Sequence, residues 1–92
     1  MHYVWDPAKD VLNQRKHGLL LADGIPALED PERGIWIDDR FDYGEERVAT
    51  LGLSHTNVLY VVTTELGENI TRIISVRRAE PHEVQLYDLS RT

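Results

Sequence analysis

The 92-residue chain contains no cysteine, which excludes a disulfide framework, a thiolate zinc site and a thiol nucleophile. Its apolar runs are short, Val58 to Val62 being typical, far below the ~20 residues of a membrane helix. Met1 to Asp6 has neither the basic region nor the apolar core of an export signal. A cytoplasmic location is therefore expected, with the sequon Asn69-Ile70-Thr71 left unmodified. Positive charge is also scarce: ten lysines and arginines face sixteen acids, for a net charge of −6. That excludes a uniformly basic surface of the kind that usually binds nucleic acid. The four histidines show no zinc spacing. Neither a metal site nor a cofactor is expected.

What is present suits one folded domain spanning residues 1–92. Charged residues at 28% and apolar residues at 41% are ordinary for a globular chain. The charge is uneven. Asp23 to Glu46 holds nine acids against Arg33 and Arg40, a local charge of −7, so the other 68 residues carry +1. A locally cationic site is compatible with that distribution, although the overall field opposes an approaching polyanion.

The pattern reads β-α-α-β-β-β-β-α. His2 to Trp5 suits a short strand, and Asp6-Pro7 an N-cap followed by proline at the first helical position. Ala8, Val11, Leu12 and Arg15 form one helical stripe, and Gly18 ends the helix. Leu19 to Glu29 is apolar at helical intervals but broken by Gly24 and Pro26, which predicts a kinked or restarted second helix. Strands are expected over 34–38, 46–53, 58–64 and 70–76, with an acidic turn over 39–45 and a final helix over 80–89. The fold class is α+β: an antiparallel four-stranded meander plus a short N-terminal strand, two N-terminal helices and one C-terminal helix.

Three constellations bear on chemistry. Asp38 to Glu45 invites a calcium-loop reading, but Arg40, Tyr43 and Ala49 fall where a ligand, a glycine and a glutamate are required. A solvated acidic loop is the better reading. His17 follows Lys16 at a helix end, where it either bonds the last carbonyls or serves as general acid or base. Arg72, Arg77 and Arg78 form the densest cationic group, suited to bidentate phosphate recognition. Their bland alternative is pairing with Glu45, Glu46, Glu80 or Glu83. On a regular strand Arg72 and Arg77 point to opposite faces. They can serve one site only if the chain bends or bulges near Ser75.

Taken in order, several segments resemble the BrnT family of bacterial toxins. They are Trp5-Asp6-Pro7-Ala8-Lys9, Asn13, Lys16-His17-Gly18, Glu29-Asp30-Pro31, Gly44-Glu45-Glu46-Arg47, Leu51-Gly52, Arg72 to Ala79, and Glu83 with Tyr87. The resemblance spans nearly the whole chain. It implies a RelE-like fold and the toxin role in a type II toxin–antitoxin pair. It also implies a metal-independent endoribonuclease that arrests growth by cleaving RNA, and a BrnA-like ribbon-helix-helix antitoxin that supplies contact with DNA. Metal-free cleavage needs a base for the 2′-hydroxyl, a cation for the phosphorane and an acid for the leaving oxygen. The expected catalytic set is His17, Arg72, Arg77, Arg78 and Glu45, with Lys16, Arg47 and Tyr87 contacting RNA. A toxin-like module that binds an antitoxin without cutting RNA is the alternative.

Overall fold

A computed structural model describes residues 1–39 and 44–90. Residues 40–43, the middle of the acidic turn, lie outside the described residues, as do 91 and 92. In chain order the elements are β1 (His2–Val4), α1 (Pro7–His17), a 3₁₀ turn (Leu21–Gly24) and α2 (Ile25–Leu28). There follow β2 (Gly34–Asp38), β3 (Arg47–Ser54), β4 (Asn57–Gly67), β5 (Ile70–Arg78) and α3 (Pro81–Ser90). The interrupted second helix is the 3₁₀ turn running into α2, with Pro26 in the first turn of α2.

One five-stranded sheet has the order β1-β5-β4-β3-β2. Strands β2 to β5 pair antiparallel with their chain neighbours. β1 is parallel to β5, with His2, Tyr3 and Val4 opposite Ile70, Thr71 and Arg72. Two-residue turns at His55-Thr56 and Glu68-Asn69 join β3 to β4 and β4 to β5, and Asn69 adopts φ 61°, a left-handed conformation that asparagine tolerates.

Each face of the sheet has its own core. On one, Leu59, Val61, Ile73 and Val76 pack with Leu21 and Ala27 of the 3₁₀–α2 segment. On the other, Ala49, Leu51, Tyr60 and Val62 pack with Tyr87 of α3. Gly52 permits the close approach of α2 to β3: a Cβ there would stand 2.1 Å from the Ala27 carbonyl oxygen. Any larger residue at position 52 would drive the two elements apart.

Two expectations about faces are corrected. The register pairs Val62 with Ser75 but Thr63 with Ile73, so Ile74 has no partner and β5 bulges there. The extra residue reverses the alternation. Arg72 lies opposite Thr64 and Arg77 opposite Tyr60, and those two β4 residues, four apart, share a face. Arg72 and Arg77 therefore leave the same face of β5, the face that α3 covers.

Helix α1 does not dock through its apolar stripe either. Val11 and Leu12 remain 47% and 61% exposed, whereas Asn13 is 6% exposed. Beyond Arg72 the outer edge of β5 has lost β1, and Val76 would be left with an unpaired N–H and carbonyl. Asn13 takes both: its Oδ1 accepts from Val76 N at 3.0 Å, and its Nδ2 donates to Val76 O at 2.9 Å. One amide side chain stands in for a neighbouring strand. Asp10 adds a second tie, accepting from Leu21 N at 2.8 Å.

Candidate functional site

Helix α1 is held at both ends by local chemistry. The Asp6 carboxylate accepts from Ala8 N at 2.9 Å, and Gly18 at φ 71° turns the chain out of the helix. Because Asn13 pins the middle of α1 to the β5 edge, the neighbouring face of the helix and the bulge form the two walls of a groove. Lys9, Leu12, Lys16 and His17 come from the helix, and Ile74 and Ser75 from the strand. The groove encloses about 570 Å³. A smaller depression lined by Asp6, Lys9, Glu45, Arg47, Arg72 and Ile74 shares two of these residues and continues it.

The two ends differ in chemistry. At one lie Lys16 and His17. Burial lowers the pKa of His17, and the neighbouring charges of Lys16 and Arg77 lower it further. The imidazole is therefore neutral near pH 7 and able to accept a proton. Its ring makes no hydrogen bond among the described residues. At the other end are Lys9 and Arg72. Arg72 donates one nitrogen to both Glu45 oxygens at 3.1 Å, and Arg47 meets the same carboxylate at 3.4 Å. Lys9 and Lys16 make no ion pair among the described residues. Eight residues of α-helix separate Lys9 from His17, roughly 12 Å. That spacing suits an extended polyanion better than a single phosphate.

The expected site residues thus divide. His17, Lys16, Arg72, Arg47 and Glu45 line the groove or its continuation. Arg77 shares its face and lies near enough to depress His17, yet its guanidinium is engaged elsewhere. It bonds Glu83 through two parallel contacts at 2.8 and 2.9 Å and lies 4.0 Å over the Tyr60 ring. Hydrogen bonding and charge from Glu83 raise the pKa of Arg77 against burial. Burial pushes the Glu83 carboxyl up, but bonds from Arg77 and the Glu80 backbone outweigh it and hold it below the ordinary range.

Arg78 and Tyr87 lie outside the groove. Arg78 is opposite Leu59, on the other face, where Nη1 donates to the His17 carbonyl at 3.3 Å and caps α1. Tyr87 is 3% exposed, and its hydroxyl bonds Asp30 Oδ2. It lines neither the α1–β5 groove nor its continuation. The groove residues not singled out in the sequence are Lys9, Leu12, Asn13, Arg15, Ile74 and Ser75. Lys9, Leu12 and Lys16 are spaced i, i+3, i+7, a single helical face, and that pattern was the available signal.

An α+β domain with a mixed five-stranded sheet and a cationic groove between a helix and a bulged edge strand is the class so defined. The family model described as "Ribonuclease toxin, BrnT, of type II toxin-antitoxin system" matches residues 5–83. The chain belongs to that family. The fold is also that of the crystal structure of the Brucella abortus ribonuclease toxin BrnT, determined at 1.1 Å. The TM-score is 0.68 at 23% identity, over 87% of this chain and 99% of the other. No curated protein matches the chain.

Proposed function

We propose that this chain is the toxin of a type II pair and cleaves RNA in the α1–β5 groove without a metal ion, arresting growth. The observation that carries the reading is a neutral histidine at one end of a groove whose lysines make no ion pair among the described residues, in a member of a ribonuclease-toxin family. His17 takes the proton of the 2′-hydroxyl as it attacks the phosphorus. Lys16, with Arg77 behind it, offsets the charge gathering on the phosphorane oxygens. Lys9 and Arg72 hold the neighbouring phosphate, and Glu45 keeps the Arg72 guanidinium in place until RNA displaces it. The leaving 5′-oxygen takes its proton from the imidazolium or from water. Kinship with the RelE ribonucleases, cytoplasmic action and restraint by a BrnA-like ribbon-helix-helix antitoxin, through which DNA is contacted, belong to the same reading.

A non-cutting module that only binds an antitoxin is favoured by one observation: Arg72 and Arg77 are each already paired with a glutamate. Cleavage of a labelled RNA in excess chelator separates the two. His17→Ala is expected to lower the rate by about 10²–10⁴. No cleavage by the unmodified chain leaves the binding module as the correct reading.

A further inference from the structure

The second exposed region lies at the opposite end of the sheet. β2 is the terminal strand, so its outer backbone N–H and carbonyl groups face away from β3. Such an edge is usually blunted by charge, proline or a bulge. Here Ile35, Trp36 and Ile37 stand in succession, 55%, 39% and 51% exposed. Their register opposite Thr50, Ala49 and Val48 is regular.

Both faces beside this edge are apolar. Trp36 shares the α3 face with Ala49 and packs edge-on against Tyr60 at 5.8 Å. A groove of about 250 Å³ runs from Trp36 past Leu51 to Leu86 and Tyr87. Leu86 and Leu89, 56% and 70% exposed, extend it along α3. On the other face are Ile35 and Ile37. A strand added to β2 would bury alternate side chains over each of these surfaces, as strand addition requires.

Charge selects the occupant. Glu32 precedes the edge and Asp39 follows it, both exposed, within the stretch that carries −7. A second copy pairing through β2 would bring two stretches of −7 together, which like charge disfavours. A basic strand meets the opposite situation. We propose that β2 is a docking edge for an extended, basic segment of a partner protein with alternating apolar residues. The inference rests on the reading of this chain as a toxin held by an antitoxin, and it places that contact away from the α1–β5 groove.

The test is the complex with the product of the reading frame beside this gene, co-expressed and purified. Amide exchange across β2 is expected to slow on the order of tenfold or more in the complex. Ile35→Lys with Ile37→Lys is expected to weaken binding by on the order of tenfold or more, while RNA cleavage by the free variant is unchanged. Exchange in the unmodified complex needs no variant to fold. A complex whose β2 amides exchange as in the free chain overturns the inference and leaves the toxin reading standing. No complex with the unmodified chain overturns both. A free chain that is dimeric, with β2 already protected, shows that a second copy is the occupant and overturns the basic-partner proposal.

Discussion

Arg72 and Arg77 leave the same face of β5, and each meets a glutamate, yet the two pairs are built for different purposes. Arg77 closes a two-point contact with a carboxylate that is 9% exposed, stacks on Tyr60, and lies where Glu83 also accepts from Glu80 N at 2.7 Å. One ion pair fastens α3 to the sheet and caps its first turn. Arg72 is 38% exposed and offers a single nitrogen to Glu45. Its contact crosses the mouth of a groove and fastens no element. Arginines spaced alike on a strand are thus divided by their partners: the buried, convergent pair is structural, and the exposed, one-nitrogen pair is exchangeable. A phosphate can replace Glu45 at Arg72 at little loss, because exposed pairs contribute only ~0–1 kcal/mol.

Substitutions sharpen that division. Of the substitutions in these two pairs, the largest effect on cleavage is expected at Arg72→Ala, with the rate lowered by about 10²-fold because the substrate is no longer held in position. Its urea-unfolding free energy should move by less than ~1 kcal/mol. Glu83→Ala reverses the pattern. It strands the Arg77 guanidinium over Tyr60 and is expected to remove about 2–3 kcal/mol of stability, seen as a melting temperature lower by on the order of 10 °C or more. Equal stability losses in the two variants would erase the distinction. Tyr87→Phe should destabilise by about 1 kcal/mol through its lost bond to Asp30, with cleavage per folded molecule unchanged.

Proton linkage gives the smallest and most specific signals. The folded Glu83 carboxyl titrates below the ordinary value of 4.5. Its contribution is therefore whole above that value and is lost as pH falls through the lower folded one. Glu83→Gln should remove that part of the acid loss seen in unfolding curves. His17 is also lowered, from 6.5, by burial first and then by Lys16 and Arg77. Its imidazole stays neutral to lower pH than a free histidine, so the acid limb of the cleavage profile should lie below pH 6.5. Folding likewise favours the neutral ring: the unfolded chain binds the extra proton as pH falls below 6.5, which lowers stability there.

Much of this was legible in the sequence because it is local. The Asp6-Pro7 start and Gly18 stop of α1, the break at Gly24 and Pro26, and the apolar run of β4 are set by residues close in sequence. The conflict between Arg72 and Arg77 on a regular strand even pointed to the bulge, which falls at Ile74. What stayed hidden depends on contacts across the fold. Asn13 looks like a polar position beside an apolar stripe, and only the shortness of β1 leaves Val76 open for it. Leu12 reads as core until Asn13 fixes the rotation of α1 and turns it into a groove wall. Arg78 looks like a third member of the cationic group, but the bulge at Ile74 leaves it on the face opposite Arg72 and Arg77. Tyr87 follows the cationic segment closely in sequence, yet the helix it sits on packs it against Leu51 and Tyr60.

The central claim is that RNA lies in the α1–β5 groove, and its most direct test uses the His17→Ala variant, which should bind without cutting. A short RNA titrated into the isotope-labelled variant should shift the amide resonances of Lys9, Leu12, Lys16, Ile74 and Ser75 most, with α3 and β2 little changed. Largest shifts on α3 or β2, or none at millimolar RNA, would contradict it.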